Sequence, residues 1–353
     1  MSDPRSVVIT GASRGLGLAS ATLLYQQGWR VVAAMRSPEA GLERLRAATG
    51  AGPDDSHLIG VRLDLDDRQS VAAATEAITE AVGAPDILVH NAGIAAAGSV
   101  EELPMNVWEE MFSTHVLGPV ELTKALLPAM RAARRGRIII VSSQGGVRGI
   151  PCIAAYSAAK GAAERWAESM ANEIAPFGLG VTVLVAGTFD TEMITDATPD
   201  YRNFEGPYAP HHNTIDRRGR AAMELLAAAP LRFAEGLAQA TRDTGPFTRH
   251  AVGTDARMLV LAHRFMPSRT LHQVTRVAMG LPRHGALRPS EATTDLGTRL
   301  FLFLNRVLPE SVMNRLLTLA AKLFPPKPTP QVAAVAGTES PEPPAAKERE
   351  NLA

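Results

Sequence analysis

A tyrosine, a lysine and a serine hold the most chemistry per residue in this sequence. Tyr156 and Lys160 stand four apart in the run YSAAK, and Ser143 lies thirteen residues before the tyrosine. On a helix, residues i and i+4 share a face, so the Lys160 ammonium can lie beside the Tyr156 phenol oxygen. A free phenol titrates near ~10, and a neighbouring cation favours the phenolate and lowers that value. The pair would then exchange a proton near neutral pH. A serine hydroxyl holding the same substrate oxygen would complete an acid/base site for interconverting an alcohol and a carbonyl. A Y-x-x-x-K spacing is also what an ordinary surface pair shows, so the surrounding elements must decide.

The amino terminus supplies such an element. Arg5 to Thr10 reads as a short buried strand, followed by Gly11-Ala12-Ser13-Arg14-Gly15-Leu16-Gly17 and then an apolar helical pattern over Leu18, Ala21, Leu24 and Tyr25. Glycines let the backbone approach a pyrophosphate closely, and free amides at a helix start favour its negative charge. The spacing is G-x-x-x-G-x-G rather than G-x-G-x-x-G, so the dinucleotide reading rests on the strand and helix that flank it.

Taken together, TGASRGLG from Thr10 to Gly17, Asn91-Ala92-Gly93, Ser143, Tyr156 and Lys160 resemble, in order and spacing, the short-chain dehydrogenases/reductases, from about Val7 to Pro282. The stretch from Gly136 to Met193, with Gly145-Gly146, Pro176-Phe177-Gly178 and Gly187 to Thr191, looks most like the 17β-hydroxysteroid and retinol dehydrogenase branch. The resemblance implies a Rossmann-type doubly wound parallel sheet, a nicotinamide cofactor, hydride transfer and a homo-oligomer paired through long helices. It assigns Gly11, Ser13, Arg14, Gly15, Leu16 and Gly17 to the pyrophosphate turn. Asp64 resembles the adenine contact, and Asn91, Ala92 and Gly93 the segment that shapes the cofactor groove. Gly187, Thr188 and Thr191 should reach the nicotinamide end, Lys160 its ribose, and the thirteen-residue interval favours Ser143 over Ser142. Asp64 has a plainer reading as a helix cap, a job for which Asp66 and Asp67 compete.

The second strand argues for the form of the cofactor. An acid at its end would bind a ribose 2′-hydroxyl and repel a 2′-phosphate, whereas an arginine does the reverse. The sequence there is Val31-Val32-Ala33-Ala34-Met35-Arg36-Ser37, with no carboxylate and with Arg36 in place. Arg14 is a second cation within reach. Either arginine alone would read as a solvated surface residue; both together point to NADP(H) rather than NAD.

Two positions depart from the family pattern. His115 stands where most members have an asparagine whose backbone carbonyl helps hold a water near the lysine, and Gly118 confirms the register. Its imidazole can donate, accept and titrate near neutrality, so it is a candidate catalytic substitute as well as a candidate satisfied core histidine. Ala186 precedes Gly187 where proline is common, which predicts a looser loop.

Elsewhere the chain reads as one α/β domain with additions. Short aliphatic runs at Val31–Ala34, His57–Leu63, Asp86–His90, Arg137–Ser142 and Leu179–Val185 alternate with longer helical patterns, which argues for a parallel sheet covered on both faces. An expected domain over 1–288 includes a substrate-covering insertion at about 199–248, with a helix around Gly219–Ala229. Two short helices should follow Gly253. Pocket candidates Gly145, Val147, Ile150 and Cys152 are largely apolar, which suits a lipophilic carbonyl or alcohol.

Residues 289–325 carry apolar residues at helical spacing (Leu296, Leu300, Phe303, Leu304, Val307, then Val312, Leu316, Leu319, Leu323) with Arg299, Arg306, Arg315 and Lys322 on shared faces. This extension suits peripheral contact with a membrane or packing against protein. Residues 326–353 are proline-rich and read as disordered. Thirty-six Lys+Arg against thirty-six Asp+Glu leaves no basic excess, which argues against nucleic acid as a partner. One cysteine excludes an internal disulfide, gives no metal-ligand cluster and fits a cytoplasmic protein. Two further readings stay open: a cofactor-binding regulator without catalysis, and a membrane-associated interaction protein on the same fold.

Overall fold

The computed structural model describes residues 4–191 and 198–286. Seven strands form one sheet in the order β3-β2-β1-β4-β5-β6-β7, and every neighbouring pair is parallel. The strands are β1 Ser6–Thr10, β2 Arg30–Met35, β3 Leu58–Arg62, β4 Ile87–His90, β5 Arg137–Ser143, β6 Gly180–Ala186 and β7 Phe247–Val252. Their runs are apolar without alternation because both faces are covered. Val8, Leu88, Ile138, Ile140 and Val183 point to one core with Val71, Ile78, Leu122, Leu126, Ala163 and Ala167. Their neighbours Val7, Ile9, Val89, Ile139 and Leu184 point to the other, with Leu24, Leu45, Phe233 and Leu237.

The first core is roofed by α3 (Arg68–Val82), α5 (Gly118–Ala133) and α7 (Ala154–Ile174). The second is roofed by α1 (Gly15–Gln26), α2 (Pro38–Thr49) and α9 (Pro230–Ala240). In α7 the buried residues Ala155, Ala159, Ala163 and Ala167 recur every four positions, a small-residue stripe that lets this helix lie close to the sheet. Between them, α4 (Met105–Phe112) runs into a π-helical turn at Ser113–Leu117 before α5 begins. A short α6 (Gln144–Val147) follows β5, α8 (Ala209–Leu226) precedes α9, and α10 (Thr254–Phe265) and α11 (Ser268–Ala278) follow β7.

Three sequence expectations need correction here. β7 begins at Phe247, inside the span expected to be an insertion. The expected helix around 219–229 is α8, which starts ten residues earlier and ends before Pro230. Beyond it, α9 buries Phe233 and Leu237 against β-sheet residues, so this part of the expected insertion belongs to the layered core. By internal contacts the chain divides into Met1–Arg283, which holds all of these elements, and His284–Ala353. The expected extension at 289–325 and tail at 326–353 lie outside the described residues. No helix among the described residues is long and apolar enough to cross a membrane.

Candidate functional site

The strand order reverses between β1 and β4, and in open α/β sheets a crevice forms there at the carboxyl ends of the strands. The glycine turn sits at that point. Gly11 and Gly15 have φ of 69° and 53°, left-handed conformations that favour glycine. A Cβ on Gly17 would stand 2.2 Å from the Gly11 carbonyl oxygen, so only glycine lets α1 start this close to the turn. No side chain caps α1 and its first turn carries no acid, which leaves its leading amides open to an anion. Leu16 packs into the core behind the turn. These features fit a dinucleotide pyrophosphate.

Thr10 and Asn91 brace the turn. Thr10 Oγ1 accepts from the Asn91 and Ala92 amides at 3.0 Å each, and Asn91 Nδ2 donates to Thr10 O at 2.9 Å and Gly11 O at 3.3 Å. A Cβ on Gly11 would meet Ala92 Cα at 2.7 Å, and one on Gly93 would meet the His115 ring at 2.7 Å, so both segments are packed edge to edge. Asp64 does not cap α3; Asp67 does, accepting from Gln69 N at 2.9 Å. The Asp64 amide is instead held by Ser70 Oγ at 2.9 Å, and Asp64 Oδ1 accepts from Asp66 N at 3.2 Å. Arg14 and Arg36 are both exposed, at the glycine turn and just past the end of β2. The structure adds Arg44, whose guanidinium lies 3.5 Å from Ser13 O.

Ser143 and Tyr156 come together at the end of β5. The Ser143 hydroxyl acts to lower the phenol and accepts from Gly145 N at 3.3 Å. Ser142 faces the opposite side and donates to Glu164 Oε1 at 2.6 Å, which separates the two serines. Lys160 is 6% exposed; its Nζ donates to Val141 O at 2.8 Å and lies 5.8 Å from the Tyr156 ring centre. Two expectations about charge change as a result. Burial pushes the Tyr156 phenol up, with only the Ser143 hydroxyl opposing it, so the lysine does not lower it in this state. Burial pushes the Lys160 ammonium down to about 8, against the pull of Glu164.

Glu164 itself was not anticipated. It is one turn beyond Lys160, 1% exposed, and is paired with Arg249 of β7.

His115 occupies the π-helical turn, in which the Gly118 amide reaches back five residues to Ser113 O. A Cβ on Gly118 would come within 2.2 Å of Leu65 O, so this turn is pressed against the loop that carries Asp64. The ring is 4% exposed and meets Tyr156 edge-on with centres 5.4 Å apart. Nε2 lies 2.8 Å from Ile94 O and 3.4 Å from Ile94 N; Nδ1 has no partner among the described residues. Burial, reinforced by the Lys160 charge, lowers His115 to about 3. The expectation that it titrates near neutrality is therefore overturned.

The Gly187 loop is tied rather than loose, contrary to what Ala186 predicted. Gly187 N donates to Val252 O at 2.8 Å and Thr188 N to Asp255 Oδ2 at 2.7 Å. The same oxygen accepts from Gln144 Nε2 at 2.7 Å, so Asp255 links the loop after β6 to the residue after Ser143. A Cβ on Gly187 would strike Asp255 Oδ1 at 2.1 Å. Nothing in the sequence singled out Asp255, which is 67 residues from the amide that it holds. Thr191 follows, beside Gly15; with Leu18, Leu23 and Leu231 they line a hollow of about 530 Å³ that Ser143, Tyr156 and Lys160 do not reach. Cys152, with φ 65°, places Sγ 3.5 Å from His212 Nδ1, and the other nitrogen of that ring lies 2.9 Å from Glu102 Oε1.

The seven parallel strands, the glycine turn at the switch point and the Ser143–Tyr156–Lys160 group define a nucleotide-binding oxidoreductase fold. Residues 5–202 match the short chain dehydrogenase family, and the chain belongs to it. It is 36% identical to a 3-ketodihydrosphingosine reductase of Bacteroides thetaiotaomicron over 54% of this chain and 65% of that protein. It is 37% identical to dehydrogenase/reductase SDR family member 7B of Xenopus tropicalis, over 56% of this chain and 65% of that one. These matches thus span just under two thirds of each relative. Among solved structures, a short-chain dehydrogenase from Streptomyces avermitilis is 30% identical with a TM-score of 0.66, covering 80% of this chain and all of that one.

Proposed function

We propose that this protein is an NADP(H)-dependent oxidoreductase that interconverts a secondary alcohol and a ketone, or an aldehyde, on a lipophilic small molecule. The observation that carries the reading is Tyr156 packed 3.2 Å from the position of a Gly145 Cβ, two residues after Ser143 at the end of β5, with Lys160 on the next turn anchored at Val141 O of the same strand. A bound nicotinamide would supply or accept the hydride. Ser143 holds the substrate oxygen, and Tyr156 gives it a proton during reduction or takes one during oxidation. Lys160, fixed by Val141 O with its ammonium 5.8 Å from the Tyr156 ring centre, does not lower the phenol in the unliganded state; in the reacting complex its charge would lower the cost of the phenolate as the proton leaves. Gly187, tied by Val252 O, and Thr188, tied by Asp255, would hold the nicotinamide end, and Asn91, Ala92 and Gly93 the groove wall.

Arg14, Arg36 and Arg44 around the end of β2, with no acid there, support a 2′-phosphate and hence NADP(H). Val147, Ile150 and Cys152 support an apolar substrate, as does the likeness to a reductase whose name specifies a long-chain sphingoid ketone. That likeness weighs more toward long-chain ketones than toward the steroid and retinol branch. The reading without catalysis rests on His115 standing in place of an asparagine; the retention of Ser143, Tyr156 and Lys160 together counts against it.

The test is consumption of NADPH and NADH with a panel of lipophilic carbonyl compounds. Tyr156→Phe should lower turnover by roughly 10²–10⁴-fold with the thermal midpoint unchanged. Arg36→Asp should move preference toward NADH. Full turnover by Tyr156→Phe would refute the proposal.

A further inference from the structure

The site leaves the α10–α11 surface of the described domain unexplained. On α10, Met258, Leu261 and Phe265 are 68%, 60% and 71% exposed. At ~100° per residue they form a single stripe, with Arg257 and Arg264 along one edge. The next helix, α11, adds Val274 and Val277 at 47% and 59% exposure, one turn apart. Large apolar side chains left exposed on two consecutive helices mark a surface that contacts something.

The charge around them says what. From Thr254 to Arg283 there are five arginines (Arg257, Arg264, Arg269, Arg276, Arg283), two histidines and one acid, Asp255. That acid is turned into the fold by Thr188 and Gln144. Some of the arginines are held in place by backbone carbonyls: Arg257 Nε donates to Ala251 O at 3.2 Å and Arg276 Nη1 to Leu281 O at 3.0 Å. The nearby Arg218 of α8 donates to Val277 O and to Ala278 O, the latter at 2.7 Å.

We infer that the α10–α11 face seats on an anionic lipid surface, the apolar stripe entering the acyl boundary and the arginines meeting headgroup phosphates. Neither other occupant has the right charge. A second copy of this face would bring like charges together. Residues 289–325 carry Arg299, Arg306, Arg315 and Lys322 against Glu291, Asp295 and Glu310, so they offer no negative surplus. The inference is independent of the cofactor and of the reaction proposed above.

The full chain is floated with vesicles of phosphatidylcholine alone and of phosphatidylcholine with phosphatidylglycerol, at low and high salt. Wild type should float with the anionic vesicles, weakly with the neutral ones, and less at high salt. Leu261→Glu with Phe265→Glu, and separately Arg257→Glu with Arg264→Glu, should each weaken anionic-vesicle binding by roughly tenfold or more, with thermal midpoints unchanged. Absence of flotation by wild type overturns the inference. So does flotation that survives both α10 variants and is lost with Leu300→Glu and Phe303→Glu. A wild-type oligomer that falls to monomer in the first variant, without vesicle binding, assigns the face to self-association and likewise overturns it.

Discussion

Lys160 is the residue whose proton limits the proposed chemistry. In the reductive direction the site needs a proton on Tyr156 and a positive charge on Lys160. Burial raises the phenol above its ordinary value and brings the ammonium down to about 8, so the lysine loses its proton first as pH rises. Reductive kcat/KM, which reports the free enzyme, should therefore decline above about pH 8. Glu164 raises Lys160, and around Glu164 stand Ser142, Arg165 and Arg249. Glu164→Gln removes that pull, so the decline should begin at lower pH; a profile identical to wild type would show that the carboxylate does not act on the lysine.

At the scale of elements, Asp255 joins α10 to the loops after β5 and β6. Asp255→Ala frees Thr188 N and Gln144 Nε2 together and leaves space beside Gly187. It should lower kcat/KM for the cofactor by roughly 10–100-fold through misplacement of that loop, while Asp255→Asn keeps part of the binding. Coenzyme titration by fluorescence measures both. This constraint was illegible in the sequence because its partners are 67 and 111 residues away. The buried strands were legible, since a parallel strand covered on both faces is an unbroken apolar run, as in Val31–Met35 and Ile138–Val141. β7 was not: its first residues, Phe247 and Thr248, fell at the end of the expected insertion, and Arg249 and His250 break the apolar run. Asp243 and Glu164 take up most of their polar groups, contacts that only the folded chain reveals. His115 shows the same division: its place was found by counting, and its burial was one of two readings that the sequence left open.

For the whole molecule, two buried neutral histidines couple stability to acid. Burial lowers both His90 and His115 to about 3, against an unfolded value near 6.5. Since the folded values lie below the unfolded one, the unfolded chain takes up protons first. Stability that is complete above about pH 6.5 should drain away progressively toward pH 3. Urea midpoints measured across that range should fall, and His115→Asn should shallow the slope.

Cys152 is the only thiol in 353 residues, and it is tethered through His212 to α8. A fluorophore attached through maleimide would therefore mark one defined point, without engineering, at the junction of the segment that follows the Gly187 loop and the helix that bears Tyr156. Its emission would report in real time whether that junction shifts as coenzyme arrives.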